Sequence, residues 1–268
     1  MNLGVNGATR LNVIIGDPIA QVRAPRGVTQ SFAARGINAI LVPVHVAPAD
    51  LAEFLAVAAR IQNLDGMVVT IPHKFAAYRH CTDATDRAHF IGAVNLMRRL
   101  PDGGWHGDIC DGLGFVAAAR AKGVDPRGKH ALLIGAGGAG SAIALALIDA
   151  GAARLAVHDL DTARRDALVD RLNRHRHGCA LAGSSDPTGC DFVANATPAG
   201  MYGHEALPVD VLKLAPSAYC GCVVTEPAVS PFIAAARQIG CSTSTGTDMY
   251  ESQENLIVDF LLSAGRAD

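Results

Sequence analysis

Along the first part of the chain, short apolar runs take turns with segments whose apolar residues recur at helical spacing. Residues 11–15 form a mostly apolar run that stops at Gly16 and predicts a strand. Residues 26–35 predict a helix and residues 39–46 a second strand. Within 48–60, Leu51, Phe54, Leu55 and Ala58 fall on one helical face. Residues 66–71 predict a buried strand closed by Pro72. Strands alternating with helices predict βαβ units and a mostly parallel sheet.

The rhythm changes once. Residues 93–100 and 105–107 flank Pro101-Asp102-Gly103-Gly104, and that turn chemistry predicts a hairpin. A helix is expected over 112–122, then a surface linker at Asp125-Pro126-Arg127-Gly128. A second βαβ series follows, with strands at 130–134, 155–158, 192–196 and 218–224 and helices at 138–150 and 163–173. Residues 249–262 predict a last helix. The natural division lies near 110–128.

Composition narrows the classes. The chain has 268 residues, half of them hydrophobic, enough for one sizeable core or two smaller ones. Its 23 Lys and Arg against 25 Asp and Glu give no basic surface for nucleic acid. No apolar stretch approaches the roughly 20 residues a membrane helix needs. The start, Met1-Asn2-Leu3-Gly4, shows no basic-then-apolar leader, so the expected compartment is the cytoplasm. Seven cysteines are scattered along the chain, and only Cys220 and Cys222 are close. Their spacing is one residue short of a zinc knuckle, so they are expected to be buried free thiols, and no metal site is expected.

Gly135-Ala136-Gly137-Gly138-Ala139-Gly140 fits G-x-G-x-x-G directly after an expected strand and at the start of a helix. The first glycine permits the turn, the second lets backbone approach a pyrophosphate, and the third lets helix and strand pack closely. The helix terminus offers free N–H groups to the phosphates. Asp159 lies at the end of the second strand of this series, where a carboxylate accepts bonds from the ribose hydroxyls. A 2′-phosphate would meet like charge from Asp159 and Asp161, and Leu160 supplies no cation, so NAD is favoured over NADP. The alternative is a ligand-free glycine turn beside an ordinary helix-capping Asp.

Val68-Val69-Thr70-Ile71-Pro72-His73-Lys74 sets a lysine just past a buried strand, and Gly107-Asp108-Ile109-Cys110-Asp111-Gly112-Leu113-Gly114 sets an aspartate at a helix start. Gly92-Ala93-Val94-Asn95 lies between them. With Asn195-Ala196-Thr197-Pro198, Pro231-Phe232, and Gly246 through Met249 to Gln253, the chain resembles the shikimate dehydrogenase family, which carries these motifs in this order. The resemblance covers nearly the whole length.

It implies an α/β protein with an N-terminal α/β substrate domain, a Rossmann dinucleotide-binding domain and a C-terminal helix returning to the first. The expected boundaries are 1–110, completed by 247–268, and 111–246. It implies reversible hydride transfer between a nicotinamide and a ring alcohol, shikimate or quinate, and its 3-dehydro ketone. By resemblance Lys74 and Asp111 are the catalytic pair. Thr70, Asn95 and Gln253 contact substrate, and Gly135, Gly137, Gly138, Ala139, Gly140, Asp159, Asn195, Thr197, Gly246 and Met249 serve the cofactor. The chemistry agrees: oxidising an alcohol needs a group to take the hydroxyl proton as hydride leaves, and a partly desolvated lysine suits that task. His73 is expected to face outward at a helix start, or else to tune Lys74 by like charge. Glu254 is expected to be solvated, and Glu251 either solvated or lining the pocket.

The substrate side departs from the family pattern. Where the family has two serines that hold a carboxylate, this chain has Val22 and Ala24. Val68, Ile109 with Cys110, and Thr225 replace further polar residues of the pattern. Either Arg23 takes over the carboxylate bidentately, or Arg23 faces solvent and the substrate has no carboxylate there. The expected partner is a small molecule rather than nucleic acid or a membrane, and the protein is expected to be a monomer or homodimer. Two other functions remain open: the same chemistry on a different ring alcohol, aminoshikimate-like or uncarboxylated, and a non-catalytic NAD-binding regulator.

Overall fold

The computed structural model describes residues 4–204 and 206–263. Residues 1–3, part of the segment read for a leader, lie outside the described residues. The chain forms two compact units, Met1–Cys110 with Glu254–Asp268, and Asp111–Gln253. No helix among the described residues is long and apolar enough to cross a membrane.

The first unit runs β1 (Arg10–Gly16), α1 (Ala24–Ala34), β2 (Ala39–His45), α2 (Leu51–Ala58), β3 (Leu64–Val69), α3 (Lys74–Tyr78), β4 (Asp83–Ala84), α4 (Asp86–Ile91), β5 (Leu96–Arg99) and β6 (Trp105–Asp108). Its six-stranded sheet has the order β2–β1–β3–β5–β6–β4. β1 lies parallel between β2 and β3, while β5 pairs antiparallel with both β3 and β6. The expected hairpin is therefore β5–β6. The helix expected at 26–35 starts at Ala24, because Pro25 stands in its first turn, where a missing N–H costs nothing. The helical stretch expected over 48–60 is a single 3-10 turn at Pro48–Asp50 followed by α2. α3, β4 and α4 were not foreseen. Each is six residues or fewer, too short to show a period, although Thr85 caps α4 through the Ala88 N–H and Gly92 ends it in the left-handed conformation.

The second unit contains α5 (Asp111–Ala121), β7 (His130–Ile134), α6 (Gly138–Asp149), β8 (Arg154–His158), α7 (Thr162–His175), β9 (Ala180–Ala182), β10 (Phe192–Asn195), β11 (Tyr219–Cys222), α8 (Pro231–Ile239) and β12 (Ser242–Ser244). α9 (Gly246–Leu262) begins in it and ends in the first unit. The sheet order is β12–β11–β10–β7–β8–β9, every pair parallel. Strand order reverses between β7 and β10. In such sheets ligands bind beyond the carboxyl ends of the strands at that switch point. The last helix starts three residues earlier than its apolar spacing suggests. Thr245 and Asp248 cap it reciprocally: the Asp248 carboxylate accepts from the Thr245 N–H at 2.7 Å, and the Thr245 hydroxyl accepts from the Asp248 N–H at 3.2 Å.

The core of the second unit explains how α5 is seated. Phe115, fully buried, packs its ring where a Cβ on Gly221 of β11 would lie only 2.4 Å away. Its ring centre is 6.2 Å from Phe192, which is 4.4 Å from Tyr219. One turn earlier, a Cβ on Gly112 would lie 2.1 Å from the Ala142 carbonyl oxygen of α6. Cys220 and Cys222 are free and buried, as expected.

Gly112→Ala must therefore push α5 off α6. Overpacking of this kind costs about 1–3 kcal/mol. The expected result is a lower urea midpoint at unchanged m value, measured by circular dichroism.

Candidate active site

In the first unit, three of the residues singled out in the sequence gather where β3 ends and β5 begins. Val69 donates its N–H to the Asn95 carbonyl at 2.7 Å, and Val94 donates to the Lys74 carbonyl at 3.1 Å. The two segments thus run side by side. Thr70 is fixed from the other flank, donating to the Ile15 carbonyl at 2.9 Å. Its methyl sits 2.4 Å from where a Cβ on Gly16 would be, so residue 16 must be glycine for this approach. Lys74 opens α3 and is buried.

His73 does not face outward. Its ring is 1% exposed, and Nε2 donates to the Val46 carbonyl at 2.7 Å. Val46 lies just past β2, and its carbonyl needs a donor there; the histidine supplies it and pins the start of α3. Glu254 is not simply solvated either: its Oε1 accepts from the Ser31 hydroxyl at 2.7 Å, tying α9 to α1. Glu251 is exposed.

Asn95 is 3% exposed. Its Oδ1 accepts from the Cys110 N–H at 3.0 Å and its Nδ2 donates to Cys110 Sγ at 3.5 Å. Just before Cys110, the buried Asp108 carboxylate accepts from the Thr85 hydroxyl at 2.6 Å, from Arg87 Nε at 2.7 Å and from the Ile109 N–H at 2.7 Å. A second bond joins Arg87 Nη2 to Asp108. A buried carboxylate must be paired in this way. The sequence marked Asp108 only as part of a motif and carried no signal for Thr85, which caps the unforeseen α4, or for Arg87, which lies on it. Arg23 is exposed at the N-cap of α1, and Ala24 is buried beside it.

In the second unit Asp111 opens α5 and is 4% exposed. A Cβ on Gly114 would lie 2.8 Å from the Gln253 Cβ and 3.0 Å from its Oε1, so the bare backbone at 114 lets Gln253 lie close against this helix. Asp111 and Gln253 thus belong to facing helices of one unit. A Cβ on Gly246 would lie 2.4 Å from the Val224 carbonyl, so the start of α9 presses on the segment after β11, with Met249 buried one turn on.

The glycine-rich turn stands at the switch point, after β7. Gly135 has φ +97°, and a Cβ there would meet Thr197 Cγ2 at 2.7 Å. A Cβ on Gly140 would meet the Gly135 carbonyl at 1.9 Å. Gly137 differs: its φ is −69°, and a Cβ there would meet nothing within 4 Å. It is the N-cap of α6 and brings no capping side chain, so the first turn of N–H groups, at Gly138 and Ala139, is uncovered by it. Across the switch point, Asn195 organises its own loop. Its Oδ1 accepts from the Thr197 N–H at 3.1 Å and hydroxyl at 2.6 Å, and its Nδ2 donates to the Ala199 carbonyl at 3.1 Å.

Asp159 follows β8 and reaches back to the turn. Its Oδ2 accepts from the Ala136 N–H at 2.7 Å and its Oδ1 from the Asp161 N–H at 2.8 Å. It does not cap α7; Asp161 does, accepting from the Arg164 N–H at 3.0 Å. Leu160 is 95% exposed between them. The bond from the Arg164 N–H, and then its side chain, hold the Asp161 carboxyl below the usual range.

Residues 14–97 match the family described as the shikimate dehydrogenase substrate binding domain. The chain is 37% identical over 250 residues to the shikimate dehydrogenase (NADP+) of Acidiphilium cryptum, covering 91% of this chain and 87% of that one. Among solved structures, it is similar to the quinate dehydrogenase of Corynebacterium glutamicum in complex with NAD (28% identity, TM-score 0.82, 94% of this chain and 93% of that one). The ligand-free 5-ketofructose reductase of a Gluconobacter strain is similar to the same degree, with 28% identity, TM-score 0.82, and coverage of 97% and 95%. On this similarity, which runs through both units, the chain belongs to the shikimate dehydrogenase family.

Proposed function

We propose that this protein is a nicotinamide-dependent oxidoreductase of the alcohol dehydrogenase type. It would interconvert a shikimate or quinate-type ring alcohol and its 3-dehydro ketone, with Lys74 and Asp111 as the acid–base pair. The observation that carries the reading is family membership together with retention, in buried or half-buried positions, of Thr70, Lys74, Asn95 and Asp111 at strand ends and helix starts and of Gln253 within α9. In this reading residues 1–110 with 247–268 bind substrate, and residues 111–246 bind the dinucleotide. The protein works in the cytoplasm as a monomer or homodimer.

The second unit suits a dinucleotide. The open space over Gly137 is what a pyrophosphate approach requires, while Gly135 is glycine for its positive φ and close packing and Gly140 for close packing. Asn195 and Thr197 stand beside that turn, Gly246 presses on the segment after β11, and Met249, further along α9, is assigned to the cofactor by the resemblance. A bound nicotinamide would supply the hydride acceptor or donor. The chain's own residues do the rest. Lys74 takes the proton of the substrate hydroxyl at Nζ as the C–H hydride leaves and returns it in the reverse direction. Asp111 orients the amine and the hydroxyl, and Thr70, Asn95 and Gln253 bind the ring hydroxyls. NAD is favoured because Asp159 accepts from ribose hydroxyls, while a 2′-phosphate would meet two carboxylates.

A second reading has the same chemistry acting on an uncharged ring or keto sugar. Val22 and Ala24 favour it, since neither can bond a carboxylate, and so does the similarity to a 5-ketofructose reductase.

Lys74→Ala is expected to lose about 10²-fold or more in turnover while its thermal melt stays close to wild type; full activity would remove the catalytic assignment. A panel of shikimate, quinate and neutral polyols with NAD and NADP, followed by the absorbance of reduced nicotinamide, separates the two readings. Shikimate or quinate turns over fastest under the first, a neutral polyol under the second. Gly137→Ala is expected to fold normally, since its Cβ meets nothing, yet to weaken NAD binding about tenfold by filling the pyrophosphate approach. Calorimetry beside a thermal melt checks both halves.

A further inference from the structure

The turn from β8 into α7 and the start of that helix hold three carboxylates, Asp159, Asp161 and Asp166, and two guanidinium groups. Arg165 is engaged by its neighbour Asp166, Nε to Oδ1 at 2.8 Å. Arg164 points the other way. Its Nη2 donates to Asp161 Oδ2 at 3.0 Å, and its Nη1 stands 3.8 Å from Asp159 Oδ2. The carboxylate assigned to the ribose and the carboxylate capping the helix therefore share one cation.

We propose that Asp161 is a specificity-determining residue for the cofactor, and that it works by holding Arg164 away from a 2′-phosphate. The inference rests on the dinucleotide reading of this unit. A guanidinium one helical turn from the ribose-binding carboxylate is the natural ligand for a phosphate on that ribose, because its fork fits phosphate oxygens bidentately. Here one arm of that fork, Nη1, stands 3.8 Å from Asp159, and the other, Nη2, is held by Asp161. Asp161 is well placed to keep it: its Oδ1 takes the Arg164 N–H and its Oδ2 the side chain of the same residue. Selection against NADP is then double. Like charge repels the phosphate, and the cation that would offset the repulsion is withheld. Leu160, almost fully exposed, brings no replacement.

Asp161→Asn separates these effects from the fold, because asparagine caps a helix as well as aspartate does. The probes are AMP and adenosine 2′,5′-bisphosphate, titrated by calorimetry with no substrate and no turnover. In Asp161→Asn, the ratio of affinities is expected to shift about fivefold toward the 2′-phosphate, the scale of one exposed ion pair. In the double variant Asp161→Asn with Arg164→Ala, measured against Arg164→Ala alone, that shift is expected to shrink to the smaller part that lost repulsion alone supplies. An undiminished shift in the double variant would mean repulsion alone and would overturn the proposal, as would no shift in Asp161→Asn. A wild type that binds neither nucleotide would overturn this proposal and the dinucleotide reading together. Full activity in Lys74→Ala would remove the catalytic assignment and leave this one standing.

Discussion

Helix α5 can begin with a buried aspartate only because its first turn carries almost no side chain. Gly112 meets the backbone of α6, and Gly114 meets Gln253 of α9. A methyl group at either position would lie within 3 Å of a neighbouring atom. The same helix is then anchored one residue further on by Phe115 standing on Gly221. Close packing of this kind leaves little play. The close seating of α5, at whose start Asp111 lies, therefore depends on three glycines, two of them in its own motif and one on a strand far along the sequence.

In the first unit the equivalent constraint is a set of bonds rather than a set of absences. β3 and β5 exchange backbone bonds up to Val69 and Asn95, and the chain after β3 stays beside Val94 as far as Lys74. Asn95 then holds Cys110, and Asp108 is braced by Thr85 and Arg87. The polar groups at these strand ends are spent largely on one another. Such a network rigidifies a site only if it is nearly complete.

Much of this was legible in the sequence, for identifiable reasons. Strand β7 was legible to the residue because a run of apolar residues ends at a glycine that must adopt positive φ. Gly135, Gly137 and Gly140 were legible as a motif, although their reasons differ: Gly135 serves a positive φ and a close approach, Gly140 a close approach, and Gly137 leaves space. What escaped notice was short or reciprocal. α4 has too few residues for a period, so Arg87 carried no signal. His73 looked like a surface residue because the acceptor it serves, Val46, is distant in sequence. Asp159 was read for its charge, correctly placed at the strand end, but its bond to the Ala136 N–H joins two motifs that no local pattern connects. The start of α9 was marked by Thr245 and Asp248, a capping signature obscured by the glycine between them.

The thiols of the second sheet have a bearing beyond packing. Burial pushes the Cys220 and Cys222 thiols well above their ordinary range, and neither side chain reaches solvent. Only a thiolate attacks an alkylating reagent at a useful rate. While the sheet is closed, these sulfurs are chemically silent at neutral pH. β11, which carries both of them, thereby acts as a clock for the opening of its own domain: each modification event records a moment when the strand beneath Phe115 was exposed to water.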